Sequence, residues 1–223
     1  MGARWCSDCQ KNIIRVPQPC CEVCGSPQDV TGICRECQST RPAFHALRSC
    51  AVYMEPVRPA LLKLKYHHDI SLGEALSWDL AVYLDRLGWH ADSIIPIPLS
   101  EQRLTERGYN QVDLIAHPLA RLMGWQYMRG ALRRSRHTPT QVGLAGSERR
   151  KNVLGAFKAD PRLVAAKTIL LVDDVATTGA TLSSASHSLL EAGAGKVYAL
   201  TVAKALQKYG SDQVKTLSAR SLR

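Results

Sequence analysis

The 223-residue chain has no apolar run long enough to cross a bilayer as a helix. Its first ten residues, MGARWCSDCQ, hold no apolar segment of the kind a secretory signal needs. Membrane insertion and export are therefore not expected, and a cytoplasmic location follows by default. Aromatic residues are scarce, 6% of the chain with two phenylalanines, which counts against a broad base-stacking surface. Acidic residues are outnumbered, 19 against 29 lysines and arginines, leaving a formal charge of +10 and a pI ≈ 9.4. That balance favours anionic partners, namely phosphorylated metabolites, nucleic acid, or both. Beyond residue 37 one cysteine remains, Cys50, in an apolar run that reads as core.

The other seven cysteines crowd into the first 37 residues as three C-x-x-C pairs, Cys6/Cys9, Cys21/Cys24 and Cys34/Cys37, with Cys20 extra. Where no export signal is seen, such pairs argue for zinc before disulfides. The spacing lets two thiolates of one tight turn face one metal, and four such sulfurs close a tetrahedral site. Cys21, Cys24, Cys34 and Cys37 make the cleanest set of four, with Gly25 and Pro27 suited to a knuckle turn. Redox-active dithiols are the competing reading, weakened by three pairs in so short a stretch. Cys6 and Cys9 would need two further ligands, and Cys20 is the only spare thiol nearby. Residues 1–45 thus read as a cysteine-rich module that depends on its metal for much of its stability.

The most informative stretch is Ile169 to Leu182, ILLVDDVATTGATL. Ile169 to Val172 has the composition of a buried parallel strand, and Asp173 and Asp174 follow where that strand would end. Val175, Ala176, Thr177, Thr178, Gly179, Ala180 and Thr181 then form a run of mostly small and hydroxyl residues. A helix follows, with Leu182, Ala185, Leu189 and Ala192 on one face and Gly193 as its stop. A phosphate needs converging N–H groups, hydroxyl donors and the positive end of a helix dipole, and this loop supplies all three. The carboxylates would repel a phosphate; they suit ribose hydroxyls, or a Mg²⁺ held mainly through water and substrate oxygens. An ordinary strand and turn would explain an Asp-Asp pair alone, but not the whole pattern.

Further strands are expected over Arg48–Met54, Ser93–Ile97 and Lys196–Ala203, and helices over Pro56–Tyr66, Leu72–Leu87 and Val112–Met123, the last kinked at Pro118. Strands alternating with helices imply an α/β fold, a parallel sheet with right-handed crossovers flanked by helices over residues 46–206. His67 and His68 are adjacent and therefore diverge, so a solvated pair is expected rather than a metal site. Between Arg129 and Lys151 stand seven lysines and arginines and one glutamate, with Trp125 and Tyr127 as the only aromatics near them. Arg136 to Phe157 reads as a polar, mobile loop. Residues 207–223 read as a basic, disordered tail.

The run Val172-Asp173-Asp174 through Thr181 resembles the phosphoribosyl-pyrophosphate (PRPP) signature of type I phosphoribosyltransferases, with Ala176 standing where a larger aliphatic residue is usual. Pro96-Ile97-Pro98-Leu99, Arg103, Arg107-Gly108-Tyr109-Asn110-Gln111 and Leu64-Lys65-Tyr66 resemble the ComF/GntX family. So do Thr138, Gln141, Leu144, Arg149, Asn152 and Phe157, and the cysteine-rich front end. That family commonly carries four C-x-x-C pairs, and the first pair here looks like its second. An upstream pair, through an earlier start, would complete a site with Cys6 and Cys9; otherwise that site is lost.

The resemblance implies a type I phosphoribosyltransferase-like fold with an N-terminal zinc ribbon. Asp173 and Asp174 would hold the ribose hydroxyls and Thr177 to Thr181 the 5′-phosphate, with Val175 and Ala176 also in the PRPP site. Pro98, Leu99 and Ser100 would meet the pyrophosphate, Arg103 and Arg107 would neutralise it, and Asn110 and Gln111 would orient substrate or loop. It further implies Mg²⁺ with PRPP, structural Zn²⁺, and a role in natural competence or in using external DNA. Partners would then include single-stranded DNA and uptake proteins such as a helicase or recombination mediator. Three activities remain open: a Mg-dependent phosphoribosyltransferase, a non-catalytic single-strand-binding accessory protein, and a PRPP-responsive regulator.

Overall fold

The computed structural model describes residues 5–67, 69–134 and 155–206. His68, most of the expected loop over 136–157, and the tail 207–223 lie outside the described residues. In chain order the elements are α1 (Ser7–Asn12), α2 (Arg35–Ser39), β1 (Ala46–Val52), α3 (Val57–Tyr66), α4 (Ser71–Leu87), β2 (Ser93–Pro96), α5 (Glu101–Arg107), α6 (Gln111–Met123), β3 (Gln126–Tyr127), β4 (Leu132–Arg134), β5 (Phe157–Ala159), α7 (Pro161–Val164), β6 (Thr168–Ala176), α8 (Ala180–Glu191) and β7 (Lys196–Lys204).

β6 organises the molecule because its residues are apolar on both faces. Ile169 and Leu171 join one hydrophobic cluster and Leu170 and Val172 the other, as the period of two in a strand dictates. β7 and β2 flank it, and the sheet runs β1-β7-β6-β2-β3 with every pairing parallel. One face is covered by α3, α4 and α6 through Leu61, Leu64, Leu76, Leu80, Ile115 and Leu119. The other is covered by α8, through Leu182, Ala185 and Leu189, together with Cys21, Val23, Cys24 and Cys37 of the front segment. That segment therefore packs directly on the sheet. Leu47 N of β1 donates to Val23 O at 2.7 Å, and the Arg48 guanidinium reaches the carbonyls of Cys21 and Glu22.

Three local differences from the sequence expectations have physical causes. β1 begins at Ala46 rather than Arg48, because Ala46 and Leu47 already pair with Tyr198 and Ala199. α6 begins at Gln111 rather than Val112, because Asn110 caps it by accepting from Val112 N; Pro118 lies inside it, as expected. β4 and β5 form a separate antiparallel pair, Leu132 opposite Ala159 and Arg134 opposite Phe157, at the base of the basic segment. At three residues each, these strands were too short to leave a periodic signal.

Candidate active site at the carboxyl ends of the strands

The aspartate pair sits inside the ladder rather than beyond it. β6 continues past Val172, pairing Asp173 with Thr201 and Ala176 with Lys204, so the strand end lies four residues later than apolar content suggests. Gly179 then turns the chain with φ 78°, a left-handed conformation that glycine takes without steric cost. A Cβ there would lie 3.3 Å from Leu47 Cδ2 and 3.5 Å from Phe44 Cζ, so the turn rests on the segment entering β1. α8 begins at Ala180; the Thr178 hydroxyl accepts from its backbone N–H at 3.3 Å. Thr177 and Thr178 are exposed at the rim. After β2, the strand beside β6, Pro98, Leu99 and Ser100 are partly buried, and Ser100 caps α5 by accepting from Arg103 N at 3.4 Å.

Asp174 is 5% exposed and is the most heavily partnered group of the site. Its Oδ2 receives the Lys65 ammonium at 2.7 Å and the Gln111 side-chain amide at 2.7 Å. Arg107 in turn donates to Gln111 Oε1, and its guanidinium carbon stands 5.1 Å from the centre of the Tyr66 ring. Tyr109 donates its hydroxyl to Leu64 O, tying the loop before α6 to α3. Asp173 turns the other way and its Oδ1 accepts from Asp174 N at 2.8 Å. Loss of hydration, then the neighbouring Asp174 charge, pushes the Asp173 carboxyl up to about 8. Arg134 of β4 is electrostatically linked to both Asp173 and Arg103 and lies 5.7 Å over the Phe157 ring; burial, and then Arg103, lower its pKa.

Asn110 is 6% exposed and acts inward. It caps α6 by accepting from Val112 N at 3.1 Å and donates to Ile97 O at 3.0 Å. Gln111, 4% exposed, acts on Asp174 rather than on the rim. Arg103 is exposed and Arg107 partly buried, both on α5, a helix marked in hindsight by Ser100 at its start and Gly108, in the left-handed region, at its end.

The cysteine cluster lies across the sheet from α3. The sulfurs of Cys21, Cys24, Cys34 and Cys37 all fall within 4.8 Å of one another, a donor set that can hold a metal ion. Burial works against ionisation of Cys21, but backbone N–H groups of Cys34, Cys24 and Val23 more than offset it and bring the thiol to about 6, nearer the thiolate a metal needs. Cys6 accepts from Cys9 N at 3.3 Å; among the described residues neither belongs to a group of three or more potential ligands. Cys20 is buried beside this cluster, and Cys50, 3% exposed, receives the Arg15 guanidinium at 2.7 Å.

A family model described as "Phosphoribosyl transferase domain" matches residues 115–220. Competence protein F of Haemophilus influenzae is 31% identical over 208 residues, covering 90% of each chain. DNA utilization protein YhgH of Escherichia coli is 32% identical over 202 residues, 86% of each. Competence protein ComFC of Bacillus subtilis is 28% identical over 205 residues, 84% of this chain and 78% of that one.

The chain belongs to the ComF family.

Within this ComF chain, the matched phosphoribosyl transferase segment contains both aspartates and the glycine turn, whereas Lys65, Arg103, Arg107 and Gln111 all precede it. Two residues at the site were not assigned a role from sequence. Lys65 enters the sequence reading only within a family-like triplet, and Arg134 only within the basic stretch. The adjacency of Lys65 to Tyr66 in the family-like triplet Leu64-Lys65-Tyr66 was the one signal pointing to it.

Proposed function

We propose that this chain binds PRPP at the carboxyl ends of β2 and β6 and acts as a ComF-type phosphoribosyltransferase-like protein in the uptake or utilisation of DNA. The observation that carries the reading is the juxtaposition of a partly buried acidic pair with a small-residue turn at the start of α8. The turn suits a 5′-phosphate, through backbone N–H groups and the hydroxyls of Thr177, Thr178 and Thr181. Asp173 and Asp174 suit the ribose hydroxyls, and Pro98 to Ser100, with Arg103 and Arg107, suit the pyrophosphate. Asp173 and Asp174 are also the residues that would hold Mg²⁺ with the ligand, where it neutralises developing pyrophosphate charge. Cys21, Cys24, Cys34 and Cys37 would hold Zn²⁺ as a structural ion.

In the transfer reaction the bond from the ribose anomeric carbon to pyrophosphate breaks, pyrophosphate leaves with the electron pair, and a nucleophile of the acceptor bonds to that carbon. Arg103 and Arg107 would stabilise the departing charge, and the aspartates would hold the sugar while positive charge develops on its ring. The ComF names of the relatives support DNA utilisation as the setting, with single-stranded DNA as the proposed macromolecular partner.

Calorimetric titration with PRPP, with and without Mg²⁺, tests the reading beside the double variant Asp173→Asn/Asp174→Asn. Saturable, Mg²⁺-dependent binding that disappears in the variant is expected. Absence of binding by the unaltered protein overturns it.

A further inference from the structure

The geometry around Asp174 raises a conflict that the proposed ligand must resolve. A carboxylate oxygen that is to accept from ribose hydroxyls needs lone pairs turned to the ligand, yet Asp174 Oδ2 already accepts from Lys65 Nζ and Gln111 Nε2, each at 2.7 Å. The two donors differ in how firmly they are held. Gln111 is 4% exposed and is fixed at its oxygen by Arg107. Lys65 is 17% exposed along its side chain and stands in the last turn of α3, followed by Tyr66 at 63% and an exposed His67. The amide is locked and the ammonium is at the solvent edge, on a flexible four-carbon stem.

Removing an ammonium from a nearly buried carboxylate is costly unless another anion receives it. The side on which it would be received is set by its neighbours. Tyr66 lies under Arg107, and Arg107 and Gln111 connect Lys65 to α5, the pyrophosphate end of the site, not to the phosphate turn at Gly179. We infer that Lys65 is a transferable counter-ion: in the free protein its ammonium rests on Asp174, and when the ligand enters it passes to a pyrophosphate oxygen, freeing Asp174 Oδ2 for the sugar. This rests on the PRPP reading of the site. No bond is made or broken; one ion pair is exchanged for another. Lys65 thereby becomes a ligand-binding residue that couples arrival of pyrophosphate to availability of an acidic group for the ribose.

The test is a double-mutant cycle on Lys65 and Asp174, read with inorganic pyrophosphate alone, beside a PRPP titration of the unaltered protein. Exchange predicts that Asp174→Asn tightens pyrophosphate binding, because the ammonium no longer has to leave a carboxylate. Lys65→Met should weaken it by about tenfold or more, the scale of one lost charge-assisted hydrogen bond. In the double variant the gain from Asp174→Asn should vanish, and Lys65→Arg should recover part of the loss in the single variant. Lys65→Gln replaces Lys65→Met if thermal melting shows the latter unfolded. If the gain from Asp174→Asn persists without Lys65, it reflects simple relief of repulsion and the inference is overturned. Pyrophosphate binding indifferent to Lys65 overturns it too. Failure of the unaltered protein to bind PRPP is a separate result that removes the functional reading itself.

Discussion

Lys204, at the end of β7, donates its ammonium to the carbonyl oxygen of Cys24 at 2.9 Å while only 3% exposed. Burial lowers its pKa, and the surrounding cysteines Cys24, Cys20, Cys37 and Cys21 pull it back up. Lys204 also pairs in register with Ala176, the last residue of β6 before the glycine turn. One buried cation thus joins the cysteine cluster to the strand that carries the aspartates.

Lys204→Met should therefore cost more than a surface lysine. It strands a buried carbonyl and leaves the thiol cluster without its compensating charge. A loss of about 1–3 kcal/mol in unfolding free energy is expected, measured by chemical denaturation of the metal-loaded protein. A change within error would mean that the pairing contributes nothing net.

Gly25→Ala should be among the most damaging small substitutions in the chain. Gly25 has φ 63°, and a Cβ there would lie 2.6 Å from Leu47 O, a β1 backbone atom with little room to yield. Left-handed strain and forced displacement together predict about 2–4 kcal/mol of destabilisation. Comparison of the unfolding midpoints of the two proteins checks this.

Metal removal should be felt beyond the cysteines. Cys21, Cys24 and Cys37 share a hydrophobic cluster with Phe44 and Leu47, and those two residues support Gly179. Elemental analysis should find one zinc per chain at this cluster. Chelation, or Cys37→Ser, should lower the melting temperature by roughly 10 °C or more, given about 2–4 °C per kcal/mol for a chain of this size. PRPP affinity should fall along with it.

Asp173 predicts a pH-dependent stability cost. Its folded-state carboxyl titrates near 8, against about 3.9 in an unfolded chain. Between those values the folded protein binds more protons than the unfolded one, so stability declines as pH rises through that window. Asp173→Asn removes the penalty. The variant should melt higher than the unaltered protein at pH 9, with the margin shrinking toward pH 5. An equal margin at both pH values would contradict the assignment.

How much of this was visible in the residues alone depended on range. β6, its glycine turn and α8 were legible because strand, turn and helix follow one another with their local signals intact, from Ile169 through Gly193. The four-sulfur set was legible because C-x-x-C spacing is itself geometric. The Lys65–Asp174 pair was not, since nothing in the sequence says that the end of α3 arrives at the end of β6. Asn110 shows the opposite limit. Its place in a family-like motif suggested that it orients substrate or loop, and only the structure shows its side chain capping α6 and holding Ile97 O. The extension of β6 through Asp173 and Asp174 was hidden because a strand is read from apolar content, whereas its true end is fixed by pairing with β7.

That extension has a mechanical consequence. The two acids of the site belong to the sheet, pinned by main-chain bonds to a neighbouring strand, and cannot travel toward a ligand. The positive groups stand on the last turn of α3 and on the seven-residue α5, outside the sheet and on longer side chains. On the proposed reading, a molecule binding here would meet a rigid floor for its sugar and adjustable groups for its phosphates. Analogues altered in the sugar should accordingly be rejected sharply, whereas analogues altered in the length or spacing of the phosphate chain should be accommodated with only gradual loss of affinity.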